Sequence, residues 1–237
     1  MGDGLEIRQH SREVVAVTLS RPPDNAFTLG MCHELSALLA CPPPGTHVLR
    51  LCSEHEVFCR GRDGSASDTG AVRAMVAALT EVTRGLAETS LVTVAQVDGD
   101  AAGFGVGLVA QCDVSVASTR SRFWFPEVSK GLAPALVLSW LPRTVGRRHA
   151  FWLTATGSAL SAAEAQQLGL VNFVAEPAAL SARVDAVVTA LLQHSVEVHA
   201  EIKRDLRDFN EADPGTAYRM AGDRLLLASV TEERDPG

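Results

Sequence analysis

Glu127 is the side chain whose neighbours could most change its chemistry. It follows Pro126 and stands among Phe123, Trp124, Phe125 and Val128. A carboxylate among large apolar groups is poorly solvated, so its pKa rises and it can exchange protons near neutral pH. The position also reads as the first-turn glutamate of a helix opened by proline, stabilised by the helix dipole. Spacing alone leaves both readings open.

The second chemical feature is residues 97–108, VDGDAAGFGVGL. Gly99, Gly103, Gly105 and Gly107 fall within nine residues. An apolar, β-prone run leads in over 91–97, and a run that reads as a buried helix leads out over 106–111. A glycine turn that opens a helix gathers unpaired N–H donors at the positive end of the dipole. Such a point stabilises a bound anion, or an oxyanion formed during a reaction. A dinucleotide site is disfavoured, because GxGxxG would need glycine at Leu108 and the later acidic residue is missing.

A third candidate is Phe58-Cys59-Arg60-Gly61-Arg62-Asp63, inside a polar loop over 54–69. Long loops in compact domains are often functional. Glu54-His55-Glu56 in this loop supports no complete metal site, since no HExxH or Cys/His array accompanies it. Ser65 and Ser67 lack the GxSxG elbow of a serine nucleophile.

The elements that must position these residues follow from the pattern. Residues 6–10 and 13–20 predict a β-hairpin. Residues 21–25 are irregular because of Pro22 and Pro23. A helix is expected over 29–40 with Thr28 as N-cap, stopped by Pro42-Pro43-Pro44-Gly45. A buried-type strand spans 47–53. Helical spacing of Val72, Met75, Val76, Leu79, Val82 and Leu86 predicts a helix over 71–87. Strands follow at 91–97 and 113–117, and after Phe125-Pro126-Glu127 the chain reads as mostly helical. Ser161-Ala162-Ala163-Glu164 is a capping box, with Gly169 as the matching stop. A short strand over 170–175 is followed by two or three helices, broken near Ser195 and Pro214. The expectation is an α/β body over 1–176 with a C-terminal α-helical region over 177–237.

Bulk properties limit the function classes. The 237 residues are 46% apolar, enough for one sizeable core. The net charge is -7 and the pI about 5.5, without a dense basic stripe, so nucleic-acid binding is disfavoured. No apolar run approaches the roughly 18 residues of a membrane span. The start, MGDGLEIRQH, shows no secretory leader. Five cysteines without CxxC pairing predict free thiols and a cytoplasmic protein.

Taken in order, these blocks resemble the crotonase superfamily, the enoyl-CoA hydratase/isomerase group. Asp24-Asn25-Ala26 is similar to its "NA" segment. Phe58 to Asp63 is similar to its F-S/C-x-G-x-D loop, and VDGDAAGFGVGLVAQCD to its V-N-G-x-A-x-G-G-G…A-C-D block. FWFPEVSKG with Leu132-Ala133-Pro134 is similar to F-x-x-P-E-x-x-x-G-x-x-P. LPRTVGRRHAFWLTATG and LSAAEAQQLGLVNFV match in kind and order, so the likeness covers about residues 13–176.

The resemblance implies a spiral of ββα units, assembled as a trimer or dimer of trimers. It implies an acyl-CoA or acyl-carrier-protein thioester as substrate, with no metal or redox cofactor. By motif position, the N–H groups of Arg62 and Phe104 form an oxyanion hole, and Glu127 is the acid/base. Arg60, Gly61, Gly103, Gly105 and Pro134 fall at substrate-binding positions. The arginines at 60 and 62 could meet a phosphate or a substrate carboxylate, or face solvent. One departure stands out: Gly107 occupies a position where many hydratases carry a second glutamate. The segment after Pro134 is similar to branches acting on branched or dicarboxylic acyl thioesters, including dehydratases of polyketide β-branching. The leading expectation is addition or removal of water with one glutamate. A Δ3-Δ2-enoyl-CoA isomerase, or an acyl-CoA-binding scaffold without turnover, are the alternatives.

Overall fold

The computed structural model describes residues 4–54, 56–65 and 68–232. His55 and Ser67, discounted above as metal and nucleophile candidates, lie outside the described residues.

Two sheets share the strands. The larger runs β1 (Leu5–Gln9), β2 (Val14–Leu19), β3 (Val48–Ser53), β5 (Val92–Val97), β7 (Val114–Ser118), β10 (Phe173–Ala175) in spatial order; only β1 and β2 are antiparallel. The smaller runs β4 (Val57–Cys59), β6 (Asp100–Ala102), β8 (Arg122–Trp124), β9 (Leu160–Ser161), parallel except for the last pair. Consecutive strands therefore change sheets: β3 to β4, β5 to β6, β7 to β8. A helix returns the chain after the first two of these hops, α2 (Thr69–Glu88) and α3 (Phe104–Gln111). That is a spiral of ββα units, and it is the crotonase fold expected from the motifs. The core lies between the sheets and under α1 (Leu29–Ala40) and α2, with Val17, Leu19, Phe27, Leu35, Leu51 and Val97 fully buried.

Local chemistry sets the helix ends as read from sequence. Thr28 accepts from the Met31 N–H at 3.1 Å, and Ser161 and Glu164 form the capping box of α6 (Ala162–Gln167). A short strand at 160–161 lies within the stretch after Glu127 that was expected to be mostly helical, and another at 122–124 just before it was not anticipated. The helix expected over 71–87 is α2. Its inner face is Met75, Ala78, Leu79, Val82 and Leu86, while Val72 and Val76 are exposed. At 3.6 residues per turn Val76 turns about 60° from Leu79, away from Val82, while Val72 lies on the Leu79 side but in the exposed first turn of the helix.

Beyond β8 come a 3-10 turn at Pro126–Lys130, α4 (Ala135–Leu138) and α5 (Leu141–Thr156), which is bent where Gly146 takes φ +76°. The tail is α7 (Leu180–Leu191), α8 (Val196–Glu211) and α9 (Pro214–Glu232). α7 packs on the outer face of the large sheet, covering Val94 and Val116 with Leu180, Val184 and Val188. No described helix is long and apolar enough to cross a membrane.

Candidate active site

The smaller sheet brings the sequence candidates together. β4, β6 and β8 are parallel neighbours, so their carboxyl ends lie side by side on one edge. β4 runs out into Arg60-Gly61-Arg62, β6 into Gly103-Phe104, and β8 into Phe125-Pro126-Glu127. Ligands of parallel α/β sheets sit at such carboxyl ends.

Two backbone donors face this edge. The Gly61 carbonyl accepts from the Phe27 N–H at 2.8 Å. A trans peptide is planar, so the Arg62 N–H in the same plane points away from Phe27, on the β6 side of the loop. The Gly103 carbonyl accepts from Val106 and Gly107 in the first turn of α3, which aims the Phe104 N–H outward from the helix start. Among the described residues neither N–H has a backbone acceptor. The two segments touch, since a Cβ on Gly61 would lie 3.9 Å from the Phe104 nitrogen. Gly103 takes φ +52°, so the glycine absorbs the strained turn and Phe104 keeps ordinary helical geometry.

Close packing makes the arrangement rigid. A Cβ on Gly105 would stand 2.1 Å from the Cys59 carbonyl oxygen. Gly105, expected as a substrate contact, thus seats α3 on the β4 loop. Asn25, fully buried at φ +50°, donates to the carbonyls of Val57 (2.7 Å) and Phe58 (3.2 Å) and accepts from the Arg21 N–H. Asp63 accepts from the Ser65 N–H and from Arg21, and these contacts, the Ser65 N–H first, hold its carboxyl below the usual range. Asn25 and Asp63 shape the loop that presents Arg62.

Glu127 closes the cluster from the β8 side. Its Oε1 would lie 2.8 Å from a Cβ on Gly103, so the missing side chain makes room for the carboxylate. Its Oε2 is buried with no hydrogen-bond partner among the described residues. Burial pushes the Glu127 carboxyl above its ordinary value of 4.5, partly offset by its own backbone N–H, Lys130 and Arg62. Glu127 thus opens a 3-10 turn after proline and is an under-solvated acid against Gly103. If it works as a base, kcat/KM on an enoyl thioester is expected to rise with pH through one ionisation above 4.5. A profile that is flat across pH 4.5 to 8 would remove Glu127 from that role.

Other candidates sit differently. Arg60 pairs with the buried Asp100 at 3.1 Å and lies over the Trp124 ring, so it already has a protein partner. Arg62 is exposed, and its guanidinium donates to the Asp63 carbonyl. Pro134 lines an open groove of about 970 Å³ with Val128, Leu132, Leu138 and Phe151. Two of those lining residues adjoin Glu127: Val128 follows it in the chain, and the Leu132 N–H donates to the Glu127 carbonyl at 3.1 Å.

One participant was missed from sequence. Trp140 is buried, and its Cζ2 would lie 3.7 Å from a Cβ on Gly107; the Phe104 ring would lie 3.9 Å from it. The Phe27 ring meets Phe104 tilted, centroids 5.4 Å apart, and Phe125 meets Trp140 at 6.4 Å. Gly107 therefore lies under an aromatic layer. No local pattern links Trp140 to Gly107 across the intervening chain. Among the described residues, no group of three His, Cys, Asp or Glu side chains could hold a metal ion.

A two-sheet ββα spiral with backbone donors and a lone carboxylate at one strand edge defines a crotonase-type protein. The model of the enoyl-CoA hydratase/isomerase family matches residues 9–235, and the chain belongs to that family. It is 33% identical over 170 residues to the peroxisomal bifunctional enzyme of Danio rerio; the match covers 70% of this chain and 23% of that protein. It is 31% identical over 201 residues to the trans-2-decenoyl-acyl-carrier-protein isomerase of Streptococcus mutans, covering 80% of this chain and 76% of the relative. A Thermobifida fusca YX structure in complex with CoA superposes with a TM-score of 0.86 at 28% identity, covering 99% of this chain and 96% of that one.

Proposed function

We propose that the chain moves a double bond in an enoyl thioester, using Glu127 as the sole carboxylate. The observation that carries this is the buried Glu127 carboxylate, its Oε1 against Gly103 and its Oε2 without a hydrogen-bond partner among the described residues, with Trp140 rather than an acid over Gly107. Sequence alone put water addition first. The aromatic layer over Gly107 reverses that order, because hydration must deliver water to C3 as well as a proton to C2.

The steps balance on one group. The Glu127 carboxylate takes a proton from C2 of a 3-enoyl thioester. The electron pair moves onto the thioester oxygen, where the Arg62 and Phe104 N–H groups hold the dienolate. The resulting carboxylic acid gives the same proton to C4, and the double bond lies between C2 and C3. Neither metal nor redox cofactor is required by this route. The carrier is CoA or an acyl-carrier protein: the superposed CoA complex favours the first, and the Streptococcus relative's name favours the second. Exposed Val198, Ile202 and Leu206, one row along α8, support a trimeric or hexameric assembly.

Incubation with a 3-enoyl-CoA and with crotonyl-CoA separates the readings. Bond migration without mass change is the expected result. A mass gain of one water from crotonyl-CoA would restore the hydratase reading, and binding of both esters without conversion would favour the scaffold.

A further inference from the structure

The contact that docks α8 on the body joins two histidines. His47 is buried immediately before β3, where its N–H donates to the Glu13 carbonyl (2.8 Å) and its carbonyl accepts from Val92 (3.0 Å). His199 lies on α8. His47 Nε2 and His199 Nδ1 are 3.0 Å apart, with ring centroids at 5.2 Å. One turn further, Lys203 donates to the carbonyls of Leu86 and Leu91 and pairs with Asp113 at 2.7 Å. α8 has no fully buried residue. Its docking depends on these polar contacts rather than on an apolar face.

We propose that the His47–His199 pair is a proton-operated latch that holds the α8–α9 arm near neutral pH and releases it in mild acid. A hydrogen bond between two imidazoles needs one nitrogen with a free lone pair. The docked pair therefore accommodates no more than one proton. With two, both facing nitrogens carry hydrogen, the bond is lost, and two cations face each other.

The charged surroundings are mixed. Glu13 beside β2 and Glu197 on α8 favour protonated His47, while burial first and His199 second disfavour it, and the net is a pKa below 6.5. His194, before α8, meets the His199 ring edge-on at 6.2 Å. Lys203 and Asp113 form the adjacent pin. The sign follows: the released arm binds one proton more than the docked arm, so docking weakens as pH falls below about 6.5. The docking equilibrium shifts about tenfold per pH unit per excess proton.

Hydrogen exchange on the full chain, corrected for intrinsic pH dependence, tests this. Between pH 7.5 and 5.5 the α8 amides are expected to lose about tenfold protection while β3 and β5 keep theirs. His47→Gln retains a donor and an acceptor without titrating, and is expected to abolish the α8 change. His199→Gln is the independent second variant. Equal loss in β3 and β5, no loss in α8, or an unchanged pH response in both variants would overturn the latch.

Discussion

Glu127→Gln is expected to lower kcat on a 3-enoyl thioester by about 10²–10⁴ while leaving ester binding near its original strength. Glutamine keeps the shape of the side chain and the 3-10 turn but cannot carry a proton between carbons. The same substitution has a second, opposite signature. The Glu127 carboxyl titrates above 4.5 in the folded chain, with burial the main cause. Between 4.5 and that raised value the folded state binds more protons than the unfolded state, so stability falls as pH rises through the window. Above it, the charged carboxylate destabilises the fold, and glutamine removes that penalty. Thermal melting at pH 7.5 should therefore show a Tm at or above wild type, together with lost turnover. Full turnover in the variant would sink the assignment of the base. A sharply lowered Tm would mean that the carboxylate is structural.

Gly105→Ala should also disable the enzyme, by a different route. Its new Cβ would meet the Cys59 carbonyl oxygen at 2.1 Å and the carbonyl carbon at 2.9 Å. The contacts are all to Cys59, its carbonyl and its Cβ, with no flexible side-chain end to yield, so the start of α3 must move off the end of β4. That shift separates the Phe104 N–H from the Arg62 N–H. Loss of one such donor lowers kcat by about 10²–10³, and overpacking typically costs about 1–3 kcal/mol of stability. Gly107→Ala is the matched control, because its Cβ meets only ordinary contacts at 3.7 and 3.9 Å. Measured side by side, a large loss at 105 and a small one at 107 are expected. Equal activity in both variants would show that α3 and the loop do not hold the donors in register.

The long elements were legible because each repeats its period several times. The hairpin, α1 with its Thr28 cap, α6 with its capping box, and the breaks at Ser195 and Pro214 were all read from local chemistry. The small sheet was not. β6 is three residues, all buried, and three residues hold neither a period of two nor one of 3.6. Yet that sheet aligns Arg62, Phe104 and Glu127. Their grouping was anticipated through the ordered motifs, while its physical cause, three parallel strand ends, was visible only in the fold. Val72 and Val76 show a different limit: their spacing helped to mark α2, and it carried no sign that both would be exposed. Trp140 lacked any signal, since its role depends on a distant glycine.

The alternation of strands between two sheets carries a metric consequence. Neighbouring strands stand about 4.8 Å apart, a spacing imposed by main-chain pairing. Donors leaving adjacent strand ends inherit roughly that separation, and a single oxygen can sit about 2.9 Å from each. The ruler belongs to the backbone. Side chains as unlike as arginine and phenylalanine can therefore occupy the two positions while the spacing of their N–H groups stays the same.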